Sequence, residues 1–98
     1  MTAPQIVVYA TSRPFCLACD VLLREAGARV RLASRQSELA KAIGEGTIAM
    51  IIAGDDGPDV DVARALAVTS ATVIPVMQRA PGESIEEIVA RALRRVAL

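Results

Sequence analysis

Ile48-Ala49-Met50-Ile51-Ile52-Ala53 is the longest unbroken aliphatic stretch of the chain, and its reading decides the fold. It has the length of a strand and no polar side chain at any position, so both of its faces must be covered. Such a strand lies in the middle of a parallel sheet with helices on each side. On its amino-terminal side, Leu39, Ala42 and Ile43 recur at helical spacing, and Gly44 and Gly46 end that helix. On its carboxyl side, Gly54-Asp55-Asp56-Gly57-Pro58 reads as a loop. Asp59 or Asp61 then caps a helix whose core face holds Val60, Ala63, Leu66 and Ala67.

The same alternation of apolar run and amphipathic stretch recurs through the chain, giving four βα units. Ile6-Val7-Val8-Tyr9-Ala10 is the first strand. Pro14 suits the first turn of the helix that follows, which runs to Ala26 and stops at Gly27. Its inward face is expected to hold Phe15, Ala18, Cys19, Leu22 and Ala26, with Asp20 and Arg24 opposite. Val30 and Leu32 alternate with Arg29 and Arg31, the pattern of a strand with one wetted face. The fourth strand is Val73-Ile74-Pro75-Val76-Met77, which Pro75 confines to an edge because it cannot donate to a ladder on both sides. Ser84 and Glu87 form a capping box for a last helix burying Ile85, Ile88, Val89, Ala92 and Val96. Glu86 and Glu87 lie at its positive end and Arg91, Arg94 and Arg95 near its negative end, as the macrodipole favours.

The two all-apolar strands belong inside and the other two outside, so the expected order is 2-1-3-4. Right-handed crossovers make this an α/β fold, a three-layer α/β/α sandwich with a switch point between strands 1 and 3. A site in such a sheet sits at the carboxyl ends of those strands. There the sequence supplies Thr11, Ser12 and Arg13 after strand 1, and Gly54, Asp55 and Asp56 after strand 3.

Composition bounds what that site can be. The chain has 98 residues, 53% apolar, 22% charged and 2% aromatic, so residues 1–98 are expected to form a single domain with one core. Eleven Lys and Arg balance eleven Asp and Glu, with no aromatic-studded basic stripe, so nucleic acid is not an expected partner. No apolar run approaches the roughly 20 residues of a membrane span, and neither a membrane partner nor a signal peptide is expected. The cysteine count is two, both in one short motif, which suits a reduced cytoplasmic setting.

With these elements placed, Ile6 to Leu66 resembles a bacterial response-regulator receiver domain. The resemblance is carried by Leu22-Leu23-Arg24-Glu25-Ala26-Gly27 closing the first helix, by Ala49-Met50-Ile51-Ile52-Ala53, and by Gly57-Pro58-Asp59-Val60-Asp61. Gln78-Arg79-Ala80-Pro81 and the final helix resemble the receiver's closing lysine-proline turn and helix, so the resemblance implies a flavodoxin-like fold that has lost one of five units. A receiver places an acidic pair after strand 1 beside a phosphoacceptor aspartate at the end of strand 3, with Mg²⁺ between them. At the matching positions stand Ala10, Thr11 and Ala53. The resemblance therefore implies a degenerate, or pseudo-receiver, domain: a non-catalytic signalling module that binds a protein partner. Asp55 and Asp56, adjacent in a loop beside glycine, read as solvated turn residues, and neither a metal nor a cofactor is expected.

Cys16-Leu17-Ala18-Cys19, together with Tyr9, Pro14 and Gly27, gives the first third a second resemblance, to glutaredoxins and similar thiol-disulfide oxidoreductases. A helix N-terminus lowers a thiol's pKa, and this spacing lets the second sulfur resolve a mixed disulfide. The alternative function is thus a dithiol oxidoreductase using Cys16 and Cys19. It predicts an exposed Cys16 and an antiparallel pair at Val73 to Met77, but Ala49 stands near the place of that family's cis-proline, and Cys19 falls on the helix's buried face. Ser12 and Arg13, with the first amides of the helix, are also placed to meet an anion, although as loop residues before Pro14 they need no such role.

The last expectation concerns assembly. Strand 4 is an edge carrying Val73, Ile74, Val76 and Met77, blunted only by Pro75. An apolar edge is usually covered, here by a second copy in a homodimer through the strand 4 and final-helix side, by the final helix folded across it, or by a strand or helix of a protein partner.

Overall fold

The computed structural model describes residues 5–55, 57–70 and 72–96. Eight elements alternate along them: β1 (Gln5–Tyr9), α1 (Arg13–Glu25), β2 (Arg29–Ala33), α2 (Gln36–Glu45), β3 (Met50–Ala53), α3 (Gly57–Ala67), β4 (Val76–Gln78) and α4 (Ile85–Val96). The strands form one sheet in the order β2-β1-β3-β4. Every pairing is parallel, with Ile6 opposite both Val30 and Met50, and Ile51 opposite Val76. The four-unit α/β sandwich expected from the apolar runs is the fold of the chain.

Alternation along the inner strands divides the core into two layers. Ile6, Val8, Met50, Ile52 and Met77 face α1 and α4, where they meet Phe15, Cys19, Leu23, Ile88 and Ala92. Val7, Tyr9, Ile51 and Ala53 face α2 and α3, against Leu39, Ala42, Val60 and Ala63. Ile51 and Ile52 are both fully buried, one in each layer. Each such side chain contributes about 1.5–3 kcal/mol by leaving water, which is why the stretch holds the centre of the sheet.

The inner face of α1 differs in detail from the wheel drawn on sequence. Phe15, Cys16, Cys19 and Leu23 are buried, Leu22 packs on the flank, and Ala26 is exposed at the C-cap. The helix packs against α4 as well as the sheet, which turns its buried stripe toward 16, 19 and 23. Asp20 and Arg24 form an ion pair on the outer face. Gly27 follows with φ +90°, a conformation that costs glycine no Cβ clash. In α4 the capping box forms as expected: the Glu87 N–H donates to Ser84 Oγ at 3.1 Å and the Ser84 N–H to Glu87 Oε1 at 3.2 Å.

Two boundaries move for physical reasons. β4 begins at Val76, not Val73, because Pro75 offers only its carbonyl to β3, accepting from the Ile51 N–H at 2.9 Å. Val73 stands outside the strand and is 96% exposed, whereas Ile74 and Met77 are buried within the chain and Val76 is half-buried. The apolar row expected along that edge is therefore broken up. On the other side of β3, α3 already starts at Gly57, so neither Asp59 nor Asp61 caps it. Asp61 is exposed in its first turns; Asp59 turns inward. None of the described helices is long and apolar enough to cross a membrane.

Candidate functional site

The carboxyl ends of β1 and β3 adjoin at the centre of the crest, where the chain's small residues let two loops close on each other. The Ala10 N–H donates to the Ala33 carbonyl at 3.1 Å and the Gly54 N–H to the Tyr9 carbonyl at 2.9 Å, extending the ladder past the strand ends. A Cβ on Gly54 would lie 2.6 Å from Ala10 Cβ and 2.5 Å from Asp59 Oδ2. Only glycine fits there. The resulting gap admits the Asp59 carboxylate from the first turn of α3, 2% exposed, which accepts the Thr11 N–H at 3.3 Å. The backbone of the β1–α1 loop is thereby tied to α3 across the head of the sheet.

Asp55, the next residue after Gly54, turns outward and makes a two-point ion pair with Arg79, whose Nε donates to Asp55 Oδ1 at 3.2 Å and whose Nη2 donates to Oδ2. The Arg79 guanidinium also lies over the Phe15 ring, 5.8 Å from its centroid. Asp56 lies outside the described residues. Ser12 and Arg13 are exposed; Ser12 is the N-cap of α1 by backbone geometry, with its carbonyl accepting from the Cys16 N–H and no cap bond from its side chain. The expected crest residues thus divide: Thr11 joins the central cluster, Asp55 is engaged by Arg79, and Ser12 and Arg13 stand at the rim. A cleft of about 340 Å³ opens between the β1 and β2 ends, lined by Ala10, Thr11, Arg13, Cys16, Leu32 and Glu38 among others.

Both thiols are inside. Cys16 is 6% exposed and donates to the Ala10 carbonyl at 3.6 Å; Cys19 is fully buried. Burial pushes the Cys16 thiol above its ordinary pKa, and the neighbouring Asp59 carboxylate adds to the effect. Burial, and then the Cys16 sulfur, pushes Cys19 up to about 12. A thiol held in its neutral form is a poor nucleophile. Among the described residues, no three His, Cys, Asp or Glu side chains gather as a metal would require.

No family model matches the sequence, and no curated protein matches it. Among solved structures, a response regulator from Thermotoga maritima is similar, with a TM-score of 0.71 over 98% of this chain and 99% of that one at 14% identity. The chain has the fold of a response regulator. At that identity the likeness is one of backbone path, and it runs nearly end to end in both molecules. The dithiol alternative required an antiparallel pair at the last strand; in this response-regulator fold β4 is parallel to β3.

Two crest residues escaped the sequence reading. Asp59 read as a helix cap because an acid near a helix start ordinarily faces water, and only the glycine five positions earlier hints at a close approach. Arg79 read as part of a turn; its pairing with Asp55 joins residues 24 apart in sequence, which no local pattern signals.

Proposed function

We propose that this chain is a regulatory, protein-binding domain that has the receiver architecture and does not accept phosphate. The observation that carries the reading is the chemistry of the crest. Phosphoryl transfer to an aspartate needs an accessible carboxylate and a cation held beside it. Ala10, just after β1, and Ala53, at the end of β3, are fully buried methyl groups, Asp59 is buried and already accepts from Thr11, and Asp55 is neutralised by Arg79. The likeness to a response regulator supports a role in signalling, and the buried, neutral state of Cys16 and Cys19 supports a structural role for both. Free thiols of this kind suit a reduced cytoplasmic setting.

A domain without chemistry at its crest acts through its surface. Its partner, another protein or a second copy, docks on the β4 and α4 side, where the sheet ends in an unpaired edge. Acetyl phosphate with Mg²⁺ tests the first part: intact mass measured without acid treatment is expected to stay unchanged. A stoichiometric, acid-labile phosphoryl adduct on Asp55, Asp56 or Asp59 would overturn it. Sedimentation at micromolar concentration addresses the partner: a dimer dissociated by Val73→Lys, at a fully exposed residue, selects the second copy, and a monomer selects another protein.

A further inference from the structure

The β4 edge has a polarity that its apolar sequence did not suggest. In the parallel register that sets Ile51 opposite Val76 and Ala53 opposite Gln78, the Ile51 N–H bonds the Pro75 carbonyl. The N–H and C=O of Val76 and of Gln78 therefore point away from β3, along the open side of the sheet. Arg91 of α4 already donates to the Gln78 carbonyl at 2.8 Å. Among the described residues, nothing bonds either backbone group of Val76 or the N–H of Gln78, and these are the groups a further strand would meet.

A groove of about 340 Å³ follows this edge, and four arginines line it: Arg64, Arg79, Arg91 and Arg95. Two are neutralised within the chain, Arg79 by Asp55 and Arg91 by Glu83. Arg64 and Arg95 are exposed and have no ion-pair partner among the described residues. They come from opposite layers, Arg64 from α3 and Arg95 from α4. Successive side chains of an extended segment point to opposite faces of a sheet. A strand laid beside Val76 would send one side chain toward Arg64 and the next toward Arg95.

We propose that the β4 edge receives an extended segment of a partner protein that carries two consecutive acidic residues, by addition of a short strand with one carboxylate on each free arginine. The inference rests on the protein-binding reading above and names the chemistry of its partner. Strand addition supplies affinity through backbone bonds, and the arginines supply selection. A symmetric copy fits this edge less well, because a two-fold axis along it would set the like charges of the two grooves against each other.

The probe is a fluorescein-labelled peptide alternating Glu-Glu pairs with single valines, read by anisotropy at low salt. Binding to the native chain is expected, weakened at least about tenfold in Arg64→Glu/Arg95→Glu, a loss of the size expected for charge pairs at an interface. The control variant Arg29→Glu, on the opposite edge strand, should bind within about twofold of the native chain. Because both replaced arginines are exposed, circular dichroism should show the double variant folded. A peptide of the same charge with proline in place of its valines should lose binding by a similar factor, since each proline removes a backbone donor and its ring disrupts the added strand. Failure of the native chain to bind, equal affinity for the proline peptide, or equal binding by the double variant would each overturn the proposal. So would a single-stranded oligonucleotide that binds as tightly as the peptide. None of these outcomes bears on the absence of phosphorylation, which acetyl phosphate tests separately.

Discussion

Gly54→Ala is expected to be far more damaging than the addition of one methyl group suggests. The added methyl would sit 2.5 Å from Asp59 Oδ2, 2.6 Å from Ala10 Cβ and 3.1 Å from Ala10 Cα. Ala10 cannot retreat, because it is fully buried and its N–H is bonded to the Ala33 carbonyl. Asp59 can yield only by giving up the Thr11 N–H. Overpacking a rigid site costs about 1–3 kcal/mol, and a buried polar group left unsatisfied costs about 1–3 kcal/mol. Because the two responses are partly alternatives, a loss of about 3 kcal/mol is expected, or roughly 12–24 °C in Tm for a domain of this size. Urea denaturation followed by far-ultraviolet circular dichroism measures it. Adding Ala10→Gly removes one of the two clashing neighbours, so the double variant should recover part of the loss despite glycine's own entropic cost of about 0.5–1 kcal/mol. A Gly54→Ala variant within about 0.5 kcal/mol of the native chain would refute the close approach of β1, β3 and α3 at the crest.

Ile51→Asp places an unpaired carboxylate between the sheet and α3 and should cost at least about 3–5 kcal/mol, seen as loss of cooperative unfolding; an unchanged Tm would contradict the central position of β3. The Cys19 thiol has its pKa raised by folding, so its contribution is complete below the unfolded value of about 8.5 and is lost as pH rises toward the folded value. The stability gap between the native chain and Cys19→Ala should accordingly narrow between about pH 8 and about pH 11, by urea titration at each pH; a gap that widens would show a thiolate stabilised in the fold. Ala53→Asp, which introduces a carboxylate at the end of β3, should destabilise the chain and still take no phosphate from acetyl phosphate, because that methyl group is buried in the α2–α3 layer. A folded, phosphorylated Ala53→Asp would mean that the crest is open to solvent.

The fold was legible because its decisive signals are local. A strand apolar at every position, a strand alternating with arginine, and a capping box at Ser84 and Glu87 each carry their meaning within a few residues. The exceptions arise where a contact joins distant segments. Val73 and Ile74 belong to the same apolar run as Val76 and Met77, yet the missing N–H of Pro75 starts the ladder after them, leaving Val73 in water. The crest was legible as a location and not as a chemistry. Thr11 and Asp55 were identified by their place after β1 and β3, but what each does depends on Asp59 and Arg79, set by helix and loop positions 48 and 24 residues away.

Those two partners also engage the polar groups at the switch point, where a sheet of this topology offers a site. A switch point is useful to a ligand when its polar groups lack partners inside the chain. Here the groups that approach it are satisfied in place: the Thr11 amide by Asp59, Asp55 by Arg79, and the Cys16 thiol by the Ala10 carbonyl. Among the described residues, unpaired backbone groups lie instead at the edges of the sheet, and on the β4 edge Val76 turns its backbone outward between Arg64 and Arg95. Polar groups left without internal partners mark where binding gains most, since they exchange water for a partner without first breaking a bond within the fold. On that criterion the β4 edge, and not the crest, carries the docking surface proposed for a partner protein.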